Sequence, residues 1–328
     1  MLGSPDSSRR QLAALLIASP LLLVAVVRLL ALDAFSPLVA WVSFVPYVAV
    51  LLVAGAVGAY FWHARRAAVV LLVFGLGLAA VVAPRTVAKD DPVPRGTPLG
   101  ILTANLLKGH ASPHGFSLLV RATDPDVVAM QELTPEMWDS LTRPGGIGDD
   151  YPYRFAQPQR KRHGIGVMSR VPLKQLRPDP VTYTDFTWPE LQLGDWPVAF
   201  RTIHPNPPVA PVQTRGWQRN LGDLPASRRS DGMLRIVAGD FNATLDHRAF
   251  RRVLDRGYED AGRMTGNGLV PTWEGDFFRL TIDHVIYDSA IAAQSYSVHD
   301  LPGSDHNAVF VRLVVPGVGG LSRAGDQD

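Results

Sequence analysis

The chain has 328 residues, 47% of them apolar, with no cysteine and a formal net charge of +2. The absence of thiols excludes disulfides, thiolate nucleophiles and Cys-ligated metals. The charge is divided: residues 1–86 carry Arg9, Arg10, Arg28, Arg65, Arg66 and Arg85 against Asp6 and Asp33, a net of +4 that leaves the remainder at −2. A mildly acidic remainder lends no general support to a nucleic-acid binder, though a local basic groove stays open.

Residues 1–86 read as a membrane anchor with three transmembrane helices. Leu12–Leu32 is a near-continuous apolar run, about 31 Å long as a helix. Pro20 predicts a kink in it, and Arg28 near its far end can snorkel to the interface. Leu38–Trp62 is a second apolar run with Trp41, Tyr47, Tyr60 and Trp62 as interfacial or packing aromatics, and Ala67–Ala83 is a third, shorter one. A cleaved signal peptide and the buried helices of a soluble fold are the rival readings. Two further runs after the first, and their near-freedom from charge, argue against both. Arg9 and Arg10 precede span one, and Arg65 and Arg66 lie between spans two and three. With three spans these pairs share one side, so the positive-inside rule makes the N-terminus cytoplasmic and the C-terminal part extracytoplasmic. Residues 87–96, with the flanking Arg85 and Thr86, are rich in charge and proline and predict a short exposed linker.

Residues 97–316 read as one α/β domain of short buried strands, Pro/Gly-rich loops and a few helices, and 317–328 as a tail. Strand after strand ends in a side chain able to bind a cation or a phosphate. "PLGILTANLLKG" ends at Asn105, "DVVAMQEL" carries Glu132, "VAFRTIH" reaches His204, "RIVAGDFN" presents Asp240 and Asn242, "LTIDHVIYD" carries Asp283, and "GSDHNAVFVRLVV" opens on Asp305 and His306. If Asp240 and Asn242 stay extended, they point to one face while Phe241 points to the other. A turn in which Asp and Asn bond their own backbone is the alternative. Glu132 can equally be a helix-start acid before "TPEMWDSL", and either histidine a satisfied loop residue. Recurrence at so many strand ends is what turn chemistry alone does not explain.

Glu132 is the hard oxygen ligand that Mg2+ takes, with Mn2+ as the alternative ion, and such sites use one or two carboxylates plus water and phosphate oxygens. Asp240 and Asn242 suit a nucleophilic water and a phosphate oxygen. A histidine such as His306 has an ordinary pKa range suited to giving or taking a proton near neutrality, Asp283 can fix its tautomer, and His204 adds a donor for developing charge. Asn105 can orient the metal ligand or the phosphate. No Ser or Cys nucleophile with an adjacent base stands out, which favours direct attack by water.

In order, "TANLL", "MQEL", "GIGVMSR", "IHPNP", "GDFN", "TIDHVIYD" and "SDHNAV" resemble the endonuclease/exonuclease/phosphatase superfamily, the DNase I-like fold, over about residues 98–315. The resemblance implies a four-layer α/β sandwich and Mg2+-dependent phosphoester hydrolysis. By motif it implies metal ligation by Glu132 with Asn105 and Asp305 beside it, positioning of water and phosphate by Asp240 and Asn242, orientation of His306 by Asp283, and His204 as the second histidine. Tyr151–Trp196 does not match the superfamily's substrate-reading loops. The three spans and "IHPNPP" also resemble the VanJ-type membrane proteins of teicoplanin resistance, which implies a lipid-linked phosphate such as undecaprenyl pyrophosphate at the bilayer. An extracellular nuclease is the alternative activity, and nothing in the sequence identifies a protein partner. A binding module that has lost its chemistry is a further reading, opposed by the intact set of polar residues.

Overall fold

A computed structural model of the chain describes residues 5–90, 92–175, 189–193, 196–227 and 233–317. The proline-rich segment 177–188 and all of the tail beyond 317 lie outside the described residues. Contacts divide the chain into a helical unit, residues 1–84 with 207–215 and 245–251, and a second unit holding the rest.

The helical unit contains α1 (Pro5–Leu29), α2 (Leu38–Val42), α3 (Val45–Phe61) and α4 (Arg65–Val82). The second apolar run is therefore not one helix. Pro46 has no N–H to give the Val42 carbonyl, and its ring would clash there, so α2 ends at Val42 and α3 restarts at Val45. Among the described residues, two helices, Asp6–Leu29 and Arg65–Thr86 with its terminal turn, are long and apolar enough to cross a membrane, and α3 is shorter at 17 residues. α1 continues through Pro20 as one helix. α3 and α4 cross closely: a Cβ at Gly75 would lie 2.9 Å from Val53 Cγ2, the small-residue contact typical of apolar helix pairs.

Arg28 does not snorkel. Its Nε donates to Asp246 Oδ1 at 2.7 Å, and Asp246 is 0% exposed. Two residues on, the Arg248 N–H caps onto the buried Asp33 at 2.7 Å. The segment just after "GDFN" is thus part of the helical unit, joined to it by ionic bonds. Removing one partner of a buried pair strands the other charge at a cost of about 3–5 kcal/mol. Arg28→Ala is expected to lower the unfolding midpoint of the detergent-solubilised full chain sharply, and adding Asp246→Ala to restore much of the loss.

The second unit is a mixed α/β sheet sandwich. Its elements are β1 (Gly96–Asn105), α5 (Pro113–Thr123), β2 (Val127–Gln131), α6 (Pro135–Thr142), β3 (Tyr153–Gln157), β4 (Ile165–Ser169), β5 (Leu173–Gln175), β6 (Pro189–Leu193), β7 (Trp196–Ile203), α7 (Pro211–Gly222), β8 (Leu234–Asp240), α8 (Arg248–Leu254), β9 (Tyr258–Asp260), α9 (Ala261–Met264), β10 (Trp273–Glu274), β11 (Arg279–Leu280), β12 (Asp283–Asp288), β13 (Ala292–His299) and β14 (Ala308–Pro316). α7 and α8 each begin in residues of the helical unit. One sheet runs β13-β14-β1-β2-β4-β3 and the other β5-β6-β7-β8-β12-β9.

Leu99, Ile101, Val127 and Ala129 of the first sheet pack against Phe200, Ile236, Ala238 and Val285 of the second in one core. The other face of the first sheet buries Leu102, Val128 and Met130 under Phe116 and Val120 of α5 and Met137 and Leu141 of α6. Both helices open on a capped turn with proline at the start: Ser112 accepts from Gly115 N, and Thr134 from Met137 N. With both faces covered, β2 and β4 are buried at every residue rather than alternating. The parallel pairs β1/β2 and β7/β8 bring the ends of β2, β7 and β8 to one edge, which β12 joins antiparallel with Asp283 opposite Asp240.

Residues 87–90 are exposed, and the chain around them is tied down at particular points. Arg85 is buried, its carbonyl accepts from Gly268 N at 3.1 Å, and Lys89 N donates to Met264 O at 2.9 Å. The chain is stitched to the turn after α9 before it enters β1.

Candidate active site

Asn105, Glu132, His204, Asp240, Asn242, Asp283, Asp305 and His306 come together at the strand ends. Asp240 Oδ2 is their hub. Asn105 Nδ2 lies 3.1 Å from it, Asn242 Nδ2 3.3 Å, His204 Nε2 3.4 Å and His306 Nε2 3.7 Å. Gly239 makes this approach possible: its φ is +150°, and a Cβ there would overlap the Ile203 carbonyl oxygen.

Asn242 is not extended. Its φ is +48°, and its N–H donates to Asp240 Oδ1 at 2.8 Å, an Asx turn. The turn reading and the site reading hold together: one carboxylate oxygen closes the turn and the other faces the site. Phe241 is fully buried, as its position implies. Glu132 also stands outside its strand, at φ +52°, a conformation that costs a bulky residue of order 1–3 kcal/mol and persists where the surroundings enforce it. They do so here, through Leu133 N to Gly164 O at 3.0 Å and Gln159 N to Leu133 O at 2.9 Å.

His306 Nδ1 lies 2.9 Å from Asp283 Oδ2, and Asp283 N donates to Thr272 Oγ1 at 2.9 Å. Burial alone would lower the His306 pKa, but Asp283 and Asp240 with Asp305 behind them override it and raise it to about 10. Burial and then Asp240 push Asp283 above the ordinary carboxylate range as well. The raised value keeps the His306 ring doubly protonated near neutrality, with its Nδ1–H toward Asp283 Oδ2. Nε2 faces Asp240 Oδ2 at 3.7 Å and Asn105 Nδ2 at 3.5 Å.

Among the described residues of this set, two buried carboxylate oxygens, Glu132 Oε2 and Asp305 Oδ1, have no hydrogen-bond partner. Orphaned anionic oxygens are what a cation would satisfy, and a hard oxygen pair fits Mg2+. Asp305 Oδ2 is fixed by Trp273 Nε1 at 3.0 Å. Asn105 Oδ1 accepts from Leu107 N at 3.0 Å, so this residue turns its amide donor to the site. Asp240, Asp283 and His306 also offer atoms within 4.8 Å of one another that could hold an ion, although the bond between His306 and Asp283 occupies the Nδ1 face.

Sequence reasoning passed over His284. It is fully enclosed: Nδ1 meets Asp260 Oδ2 at 2.8 Å and Nε2 meets the Ala243 carbonyl at 2.8 Å, pinning the residue after Asn242. Asp260 Oδ1 also caps α9. Burial opposes the charge on His284, but Asp260 and the Ala243 carbonyl raise its pKa above the ordinary value. The stabilisation is complete below pH ~6.5 and is lost as pH rises through the raised folded value. Asp260→Ala is expected to cost about 3–5 kcal/mol, read by thermal unfolding, and to flatten that pH dependence. Only the adjacency of Asp283 and His284 in "IDHV" could have signalled the residue.

The model of the Endonuclease/Exonuclease/phosphatase family matches residues 102–306. Among solved structures, D. rerio TDP2 complexed with single-strand DNA product has a TM-score of 0.53 at 17% identity, covering 67% of this chain and 100% of that one. Humanized D. rerio TDP2 has a TM-score of 0.52 at 19% identity, with 66% and 99% covered. A family protein from Bacteroides thetaiotaomicron has a TM-score of 0.50 at 14% identity, with 69% and 97% covered. At these identities the likeness is one of fold. No curated protein sequence matches the chain. With more than half of its length matched, the chain belongs to the Endonuclease/Exonuclease/phosphatase family, a family of metal-dependent phosphoester hydrolases.

Proposed function

We propose that the protein is a membrane-anchored, extracytoplasmic phosphoesterase that hydrolyses a lipid-linked phosphoester or pyrophosphate of the undecaprenyl pyrophosphate type. The observation that carries the chemistry is the ring of nitrogen donors around Asp240 Oδ2, with two orphaned carboxylate oxygens in the same set. Asp240 accepts a proton from the attacking water and aims its lone pair at phosphorus. Asn105 holds a phosphoryl oxygen through its amide donor, and Asn242, whose Nδ2 donates to the Pro205 carbonyl at 2.9 Å and reaches Asp240 Oδ2 at 3.3 Å, shares the weaker of these two donors with the phosphate. Asp283 keeps the proton on Nδ1, and a protonated Nε2 of His306 donates to the phosphoryl group as charge develops. His204, with Nδ1 bound to the Arg162 carbonyl at 2.9 Å, presents Nε2 as a second donor. A Mg2+ ion, with Mn2+ as the alternative, would be held by Glu132 and Asp305 and would supply charge neutralisation at the phosphate.

The lipid reading is supported by the apolar helices and by the β10–β11 hairpin. Its tip carries Phe277, 89% exposed, and Phe278, while its first residue Trp273 bonds Asp305. Aromatic side chains of this kind suit the headgroup region of a bilayer. An extracytoplasmic site needs an odd number of crossings. It therefore requires α3 to cross as well: 17 residues span about 26 Å, at the short end of the range. The same reading includes a role in resistance to teicoplanin-type glycopeptides, on architecture alone. The second reading, an extracellular nuclease, is favoured by four consecutive basic residues, Arg160–His163, beside His204.

Protease added to intact cells should remove residues beyond the spans. Full protection until lysis would overturn the orientation. Phosphate release from polyprenyl phosphates, phospholipids and DNA, with Mg2+ or EDTA, should be greatest for the polyprenyl substrates and abolished by EDTA. DNA as the one hydrolysed substrate would overturn the lipid reading.

A further inference from the structure

The loop between β3 and β4, Gln157–Ile165, has no role in the chemistry above, yet it is fastened to the site at three points. Gln159 N donates to Leu133 O and Leu133 N donates to Gly164 O, at 2.9 and 3.0 Å, so the loop clasps the residue next to Glu132. The Arg162 carbonyl accepts from His204 Nδ1 at 2.9 Å. Gly164 has no room for a side chain, because a Cβ would overlap the Leu133 carbonyl oxygen. Between these points the sequence reads Arg160-Lys161-Arg162-His163.

Cations so close together repel one another, and the loop that carries them is fastened through its backbone beside Glu132 and His204, so an anion bound there would relieve the repulsion. Their own partners are few. Arg160 reaches Glu136 only at 4.0 Å with both side chains mostly exposed, a contact of little strength. Burial, then His204 and Arg162, lower the His163 pKa, which sets this histidine apart from the three residues before it.

We infer that Arg160, Lys161 and Arg162 form a subsite for a second phosphate group directly joined to the one that is cleaved, so that the enzyme selects a diphosphate over the monophosphate of the same lipid. This rests on the lipid-phosphate reading above. An arginine fork binds phosphate oxygens in pairs, and lysine adds a mobile point charge. The compactness of the cluster argues for a diphosphate over a nucleic-acid strand. A strand presents one charge per nucleotide over its whole length, and its binders spread cations and aromatic platforms along a groove.

The test uses the full chain in lipid nanodiscs, with a polyprenyl diphosphate and the monophosphate of the same chain as substrates. R160Q/K161Q/R162Q should lower the diphosphate-to-monophosphate ratio of kcat/KM at least ~10-fold, the size of one lost charge-assisted bond. R121Q/R143Q/K174Q, which removes as many cations from α5, the end of α6 and β5, should leave the ratio at its original value. An unchanged ratio in the loop variant, or a parallel fall for both lipids, overturns the subsite. So does a fall confined to cleavage of a single-stranded DNA oligonucleotide. Calorimetry separates this inference from the reading beneath it. Inorganic pyrophosphate should bind the original chain more tightly than orthophosphate, and the loop variant should lose that preference. If neither lipid is hydrolysed, the lipid reading fails, and the calorimetric preference alone supports or overturns the subsite.

Discussion

His306→Ala is expected to lower phosphate release by ~10²–10⁴-fold, the range for losing one acid–base or charge-stabilising group. The imidazole is placed by Asp283 at 2.9 Å, and its Nε2 stands 3.5 Å from Asn105 Nδ2, 3.7 Å from Asp240 Oδ2 and 4.0 Å from Asp305 Oδ1. Neither carboxylate can replace it, because an ionised carboxylate only accepts hydrogen bonds and repels phosphate. Asp283→Asn should cause a smaller loss, since the ring remains but its tautomer is no longer fixed. The double variant should be little worse than His306→Ala if the two act as a unit. Single-turnover phosphate release on the purified full chain reads all three. Near-original activity in His306→Ala with none in His204→Ala would exchange the roles of the two histidines.

Glu132→Gln should keep the fold and lose most activity. Outer-shell partners of a metal commonly cost 10–100-fold in affinity when removed, so a direct ligand is expected to lose about 10²-fold or more. Glu132 is only 6% exposed, Oε2 has no hydrogen-bond partner, and Oε1 is 3.6 Å from His204 Nε2. Without a cation, that orphaned charge is a liability in the fold. The amide is therefore expected to raise the melting temperature of the EDTA-treated protein while abolishing the rise that Mg2+ gives the original chain. A Glu132→Gln chain still stabilised by Mg2+ to the original extent would place the ion elsewhere, with Asp240, Asp283 and His306 the set to examine next. Turnover indifferent to EDTA would count against a metal altogether.

Much of this site is legible in one dimension because a buried strand must end, and the residue at its end is free to be polar. Asn105, Asp240 and Asp283 stand on the last or first residue of their strands, and Glu132 and His204 one residue beyond. The apolar runs mark the helical unit for the same kind of reason: each is a local property of the chain. What no local pattern carries is the company each residue keeps. Arg28 has the composition of a snorkelling arginine, yet its partner lies 218 residues away. The second apolar run looks continuous until the backbone geometry at Pro46 ends α2. Asn242 turns left-handed because Asp240 Oδ1 captures its N–H, a choice the sequence leaves open between turn and strand. His284 and Asp260 become a buried pair because β12 and β9 are neighbours. The basic loop meets His204 because β4 folds back along β2. Residue type and strand register fix which chemistry the chain can offer. Only the closing of two sheets on each other decides which groups share one oxygen, because those distances depend on contacts between segments that the sequence keeps far apart.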